Sequence, residues 1–176
     1  MKHKSKILII ISLLTILLIS SSYAWLKITL RSSKNNFIKG AALSLKMDDS
    51  MEGGINLTTA IPIPDEEGLS NIPYRFNINN DGEIDSTYTI YLDNLELDTN
   101  QTRVDDKYIK YSLTKNGISS GAKLLNNREL DTGIIDKNTT DSYELRIWVD
   151  YNATNEAMNT TFKGQIRVEG TQTNKE

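Results

Sequence analysis

The chain has 176 residues, no cysteine, one histidine, and 20 Lys plus Arg against 23 Asp plus Glu, with 38% hydrophobic residues. That composition suits one folded domain of ordinary polarity. It excludes a disulfide framework, a thiolate nucleophile, Cys-ligated zinc and a cysteine-borne lipid anchor. The histidine is His3, so loss of the N-terminus leaves no imidazole for a catalytic triad or an HExxH metal site.

Residues 1–24 read as an export signal. Lys2, Lys4 and Lys6 form a basic n-region, Ile7 to Ile19 an apolar core, and Ser22 and Ala24 the small residues a signal peptidase inspects. Cleavage is expected between Ala24 and Trp25. The competing reading is an uncleaved anchor, but Ile7 to Leu26 reaches the roughly 20 apolar residues of a membrane span only by including three consecutive serines. Either way the folded part is expected outside the cell, touching a membrane only through this segment. Cleavage removes three lysines and no acid, leaving 17 basic and 23 acidic residues, a net charge of −6. An acidic exported chain is not expected to bind nucleic acid.

Residues 25–36 form an extension. Leu26, Ile28 and Leu30 alternate with Lys27, Thr29 and Arg31, and a polar stretch from Ser32 to Asn36 follows. An apolar strand on a leash invites β-augmentation, entering the sheet of a neighbouring subunit. Repeated head to tail, that contact builds a filament. The plainer alternatives are that it pairs within its own domain or forms a membrane-proximal stalk.

From residue 37 to 170 the chain alternates with period two. Ala41, Leu43 and Leu45 share one face of a first strand; Ile72, Tyr74, Phe76 and Ile78 share another. Asn79-Asn80-Asp81-Gly82 predicts a hairpin into Ile84 to Leu92. Ile61 to Gly68, with two prolines and three acids, reads as a long surface loop. Ile109, Tyr111 and Leu113 lead to a turn at Asn116-Gly117. Tyr143, Leu145, Ile147, Val149 and Tyr151 form the core face of a central strand, with Trp148 pointing the other way, exposed or covered by a second layer. Phe162 to Val168 repeats the pattern, and Gln101 to Lys107 or Asn152 to Asn159 has room for a helical turn. Residues 171–176 form a polar tail. The fold class is all-β: an antiparallel, jelly-roll-like sandwich preceded by the N-terminal hydrophobic helix.

The chemistry-bearing candidates are sparse. Asp48-Asp49, Asp81 with Glu83 and Asp85, and Asp105-Asp106 are acid clusters, yet none has EF-hand spacing and no glycosidase pair stands out. Solvated turn acids are the expected role. Asn-x-Ser/Thr sequons at Asn56, Asn100, Asn138, Asn152 and Asn159 arise readily in so Asn- and Thr-rich a chain. No cofactor, metal or catalytic residue is expected.

The ordered set of signals resembles the TasA/camelysin group of exported proteins from Gram-positive bacteria. The matching residues are Tyr23-Ala24-Trp25 at the signal end and Asn36-Phe37-Ile38-Lys39-Gly40 with Leu43 and Leu45. They continue with Phe76 to Gly82, Tyr143 to Asp150 and a final strand from Phe162 to Gly170. The resemblance implies a jelly roll, processing by a dedicated signal peptidase, and matrix fibres built by donor-strand exchange. The metallopeptidase activity ascribed to some members needs histidine, which the mature chain lacks. The sequence therefore predicts a secreted, non-enzymatic biofilm-matrix or cell-surface subunit that self-assembles, with Leu26, Ile28 and Leu30 as donor residues. The alternative is a membrane-tethered surface binding module with Trp148 near its ligand face.

Overall fold

Alternating side chains turn into β-structure along most of the chain. The computed structural model describes residues 27–31, 45–49, 54–57, 61–153 and 155–172. Its strands are β1 (Lys27–Arg31), β2 (Leu45–Asp49), β3 (Ile55–Leu57), β4 (Pro62–Ile63), β5 (Tyr74–Asn80) and β6 (Ser86–Asn94). They continue with β7 (Ile109–Lys115), β8 (Ile118–Ser119), β9 (Lys123–Leu124), β10 (Glu129–Ile135), β11 (Thr139–Asp150) and β12 (Phe162–Gln172). A short helix, α1, spans Asp65–Ser70. The predicted export segment with Ala24 and Trp25, the donor candidate Leu26 and the first predicted strand up to Ser44 lie outside the described residues.

The strands form two sheets. The first has the order β1-β12-β6-β10, with β3 also on β12; the second has the order β2-β5-β11-β7-β8, with β4 on β11 and β9 on β7. The antiparallel pairs β3 with β12, β5 with β11, β6 with β10, and β7 with β8 and β9 nest one inside the next. That is one long hairpin rolled into a two-layer sandwich, a jelly roll. The inner faces interdigitate: Ile78, Ile90, Leu92, Ile109, Phe162, Ile166 and Val168 are fully buried. Phe76 stacks on Tyr143 at 5.0 Å between ring centroids.

Three sequence expectations change. Asn79 to Gly82 is not a hairpin, because β5 belongs to the second sheet and β6 to the first. The corner is tied by Asn80, whose Nδ2 donates to the carbonyls of Ile84, Ile135 and Asp136 while its Oδ1 accepts from Gly82 N–H. The true two-residue hairpin turn is Asn116-Gly117, at φ 48° and 84°, the positive angles a primed turn demands. Residues 61–68 are not one loop; they hold β4 and the start of α1, whose first turn carries Asp65, Glu66 and Glu67. Acids there complement the helix dipole. Finally, Tyr151 lies beyond the end of β11 and is 67% exposed rather than in the core. The two predicted helical turns are short 3-10 segments, Asp106–Tyr108 and Asn155–Ala157.

Candidate functional site

The donor candidates Ile28 and Leu30 fall in β1, which runs antiparallel to the last strand of its own chain. The register is Lys27 to Thr171, Ile28 to Gly170, Thr29 to Glu169, Leu30 to Val168 and Arg31 to Arg167. Ile28 and Leu30 thus stand opposite two buried positions of β12. The other half of that same edge is taken by β3, with Leu57 opposite Phe162 and Ile55 opposite Gly164. The edge is therefore shared by two segments far apart in sequence, and β1 occupies one end of it as a five-residue piece.

Gly170 shapes the floor of that end. A Cβ built there would lie 2.1 Å from Leu45 Cδ1, so only the missing side chain lets Leu45 of the second sheet reach across to β12. Leu45 is buried. At the other end of the ladder, Arg31 stands opposite Arg167. Arg167 is already committed to acids of its own sheet, Asp93 at 2.7 Å and Glu169 at 2.5 Å, and lies 4.2 Å over the Tyr91 ring. Burial lowers its pKa, but those acids outweigh it and the group stays charged.

A second constellation bridges the sheets. Tyr88 and Asp131 come from the first sheet; Asp141, Tyr143 and Lys115 come from the second, with Asn116 in the adjoining turn. The Tyr88 hydroxyl lies 2.6 Å from Asp141, the Tyr143 hydroxyl 2.9 Å from Asp131, and the two phenol oxygens are also in hydrogen-bond contact, so the two phenol protons serve two of these three contacts at a time. Lys115 Nζ donates to Tyr88 at 2.8 Å and pairs with Asp141 at 3.1 Å, while Asn116 donates to the other Asp141 oxygen. Burial, reinforced by the Asp141 carboxylate, pushes the Tyr88 pKa up to about 12, and burial pushes Tyr143 higher still. Burial also raises Asp141, but the hydrogen bonds from Tyr88, Asn116 and Lys115 outweigh it and hold the carboxyl below its usual range. Neither phenol is ionised near neutrality and Lys115 keeps its proton. The group therefore ties two sheets together and offers no nucleophile.

Trp148 points away from the main core, as its parity requires, yet is only 2% exposed. α1 lies on it: a Cβ at Gly68 would sit 2.3 Å from the indole ring. Trp148 Nε1 donates to Asp65 at 3.3 Å, and Lys110 binds Asp65 and Asp150 beside it. The indole is covered by a second layer, so it does not offer the exposed aromatic a ligand face would need. The sequence did carry one cue, Pro64 followed by three acids, an ordinary helix start.

Three acids of the predicted clusters serve local structure. Asp85 accepts Lys137 N–H, Asp105 caps the following 3-10 turn, and Asp106 clasps Arg128. Among the described residues no group of three or more His, Cys, Asp or Glu is placed to hold a metal ion, and no helix is long and apolar enough to cross a membrane. Two sequon residues, Asn138 and Asn159, adopt positive φ and act as turn formers. No protein-family model and no curated protein matches this sequence.

Proposed function

We propose that the chain is an exported, non-enzymatic structural protein whose subunits assemble into matrix or surface fibres by handing β1 from one copy to the next. Before assembly each subunit covers its own acceptor edge. In the fibre the Arg167 to Thr171 edge of one subunit receives Leu26, Ile28 and Leu30 of its neighbour.

The observation that carries this reading is that β1 sits at the margin of a sheet, on the last strand, separated from β2 by 13 residues. A segment of that length spans at most about 45 Å when extended. A domain of about 150 residues has a radius of gyration near 15 Å and a diameter near 40 Å. Thirteen residues are therefore long enough to reach an adjacent subunit's edge. The exchange replaces each lost ladder hydrogen bond with an identical one, so its enthalpic cost is small.

Deleting residues 25–31 tests this: the shortened protein should stay folded by circular dichroism and form no fibres in electron micrographs. Fibres formed at the wild-type rate by the shortened chain would rule the reading out.

A further inference from the structure

Asn116-Gly117 is the only Asn-Gly pair in the chain, and it stands at the exposed tip of the β7–β8 hairpin. That pair has a chemistry of its own. The nitrogen of a glycine can add to the side-chain amide of a preceding asparagine, because no Cβ on the glycine crowds its approach. Space is not the obstacle here. A Cβ built at Gly117 would meet nothing within 4 Å, so the attacking nitrogen lies in the open.

What obstructs the reaction is the hold on the Asn116 side chain. The β7–β11 ladder ends with Lys115 opposite Tyr143. One step on, Asn116 N–H still donates to the Ser142 carbonyl at 2.9 Å. The return bond is made by the side chain: Oδ1 accepts Ser142 N–H at 2.9 Å and the Ser142 hydroxyl at 3.2 Å. Nδ2 donates to Asp141 at 2.8 Å. Both polar atoms of the amide are thus pinned to β11. Ring closure on Gly117 expels Nδ2, so it cannot be completed while the bond to Asp141 stands.

We infer that Asn116 is a gated deamidation site: its amide converts to aspartate or isoaspartate when the hairpin tip peels from β11, and the product then keeps the tip off. The Gly117 nitrogen gives its proton to solvent and bonds to Asn116 Cγ; the Cγ–Nδ2 bond breaks and ammonia leaves. Water opens the resulting succinimide at either carbonyl, giving aspartate or isoaspartate. One water is consumed, one ammonia is released, and nothing is oxidised or reduced. Local opening of a hairpin tip, without unfolding of the sandwich, is enough to start it. Aspartate puts a carboxylate oxygen where Nδ2 lay, 2.8 Å from an oxygen of Asp141, and like charges at that range repel. Isoaspartate adds a methylene to the main chain of a two-residue turn, which alters the loop length on which its type depends. Either product acts on Asp141, which lies 2.6 Å from Tyr88 of the first sheet and pairs with Lys115. The modification therefore loosens the tie between the sheets in one direction only. It does not depend on strand donation, since β1 lies on the other sheet.

The test incubates the full chain in mildly alkaline buffer and follows the peptide carrying Asn116 by mass spectrometry, reading the mass gain of an amide turned to an acid. Conversion in the folded protein should be at least tenfold slower than in the same chain held unfolded in urea. Asp141→Ala removes the acceptor of Nδ2 and should speed conversion of the folded protein several-fold. Leu45→Ala weakens the sandwich elsewhere and should not. Equal rates in folded and unfolded wild type would overturn the gate, and equal acceleration by Asp141→Ala and Leu45→Ala would show that global unfolding, not the hold on Asn116, sets the rate. No conversion even in urea would overturn the site itself. The product is tested separately with Asn116→Asp, whose β7–β8 amides should exchange hydrogen several-fold faster than those of wild type at neutral pH. Unchanged exchange would overturn the claim that the product keeps the tip off.

Discussion

Gly170→Ala asks whether the second sheet closes over the Gly170 end of β12. The added methyl would lie 2.1 Å from Leu45 Cδ1, against about 3.5–4.0 Å for ordinary carbon contact. Leu45 is fully enclosed, so it must leave its rotamer or push the sheets apart, at a cost of about 1–3 kcal/mol. Gly170 is not at positive φ, so alanine carries no backbone strain there. Without the contact, the substitution would stabilise the protein by about 0.4–1 kcal/mol through the unfolded chain's entropy. The two cases differ in sign. Leu45→Ala alone leaves a hole and costs about 2–5 kcal/mol. In the double variant the new methyl fills part of that hole, so the combined loss should fall short of the sum by about 1–2 kcal/mol. Urea titration at constant m-value measures all four corners of the cycle. A Gly170→Ala protein that is unchanged or stabilised, or a strictly additive cycle, would refute the packing of β2 over β12.

Two further outcomes follow from the ties that hold the sandwich and its covering helix. The folded protein holds the Tyr88 proton up to about pH 12 whereas the unfolded chain releases it near 10. This contribution is full below pH 10 and is lost as pH rises through 12, a difference of about 2–3 kcal/mol; the wild-type urea midpoint should therefore fall more steeply over that window than that of Tyr88→Phe, and parallel curves would contradict the network. Gly68→Val should lift α1 from Trp148, seen in a Trp25→Phe background as red-shifted emission and stronger acrylamide quenching, and an unchanged spectrum would show that the helix does not seat on the indole.

The strands were legible because a sheet with one buried face imposes period two on its sequence. Tyr143 to Val149 and Phe162 to Val168 announce themselves for that reason. Connections were less so. Asn79-Asn80-Asp81-Gly82 and Asn116-Gly117 have the same turn chemistry, yet one crosses between sheets and the other closes a hairpin. Only the partners of the flanking strands distinguish them. The inter-sheet tie was not readable at all: Tyr88 and Asp141 are 53 residues apart, and nothing local separates Asp131 or Asp141 from a solvated turn acid. Likewise Trp148's parity showed that it points outward, but the cover comes from α1, some 80 residues earlier in the chain. The candidate strand Ile28 and Leu30 was visible as alternation; its seat on β12 depends on where the last strand lies.

Strand donation requires β1 to leave its own β12, and a reversible lock measures that directly. Thr29 and Glu169 stand opposite each other in the ladder, at a spacing a disulfide bridges. In the Thr29→Cys/Glu169→Cys chain, otherwise free of cysteine, oxidation should hold β1 in place and leave only short, unpolymerised species in electron micrographs. Dithiothreitol should then start fibre growth. Fibres growing equally from the oxidised and reduced protein would contradict the account.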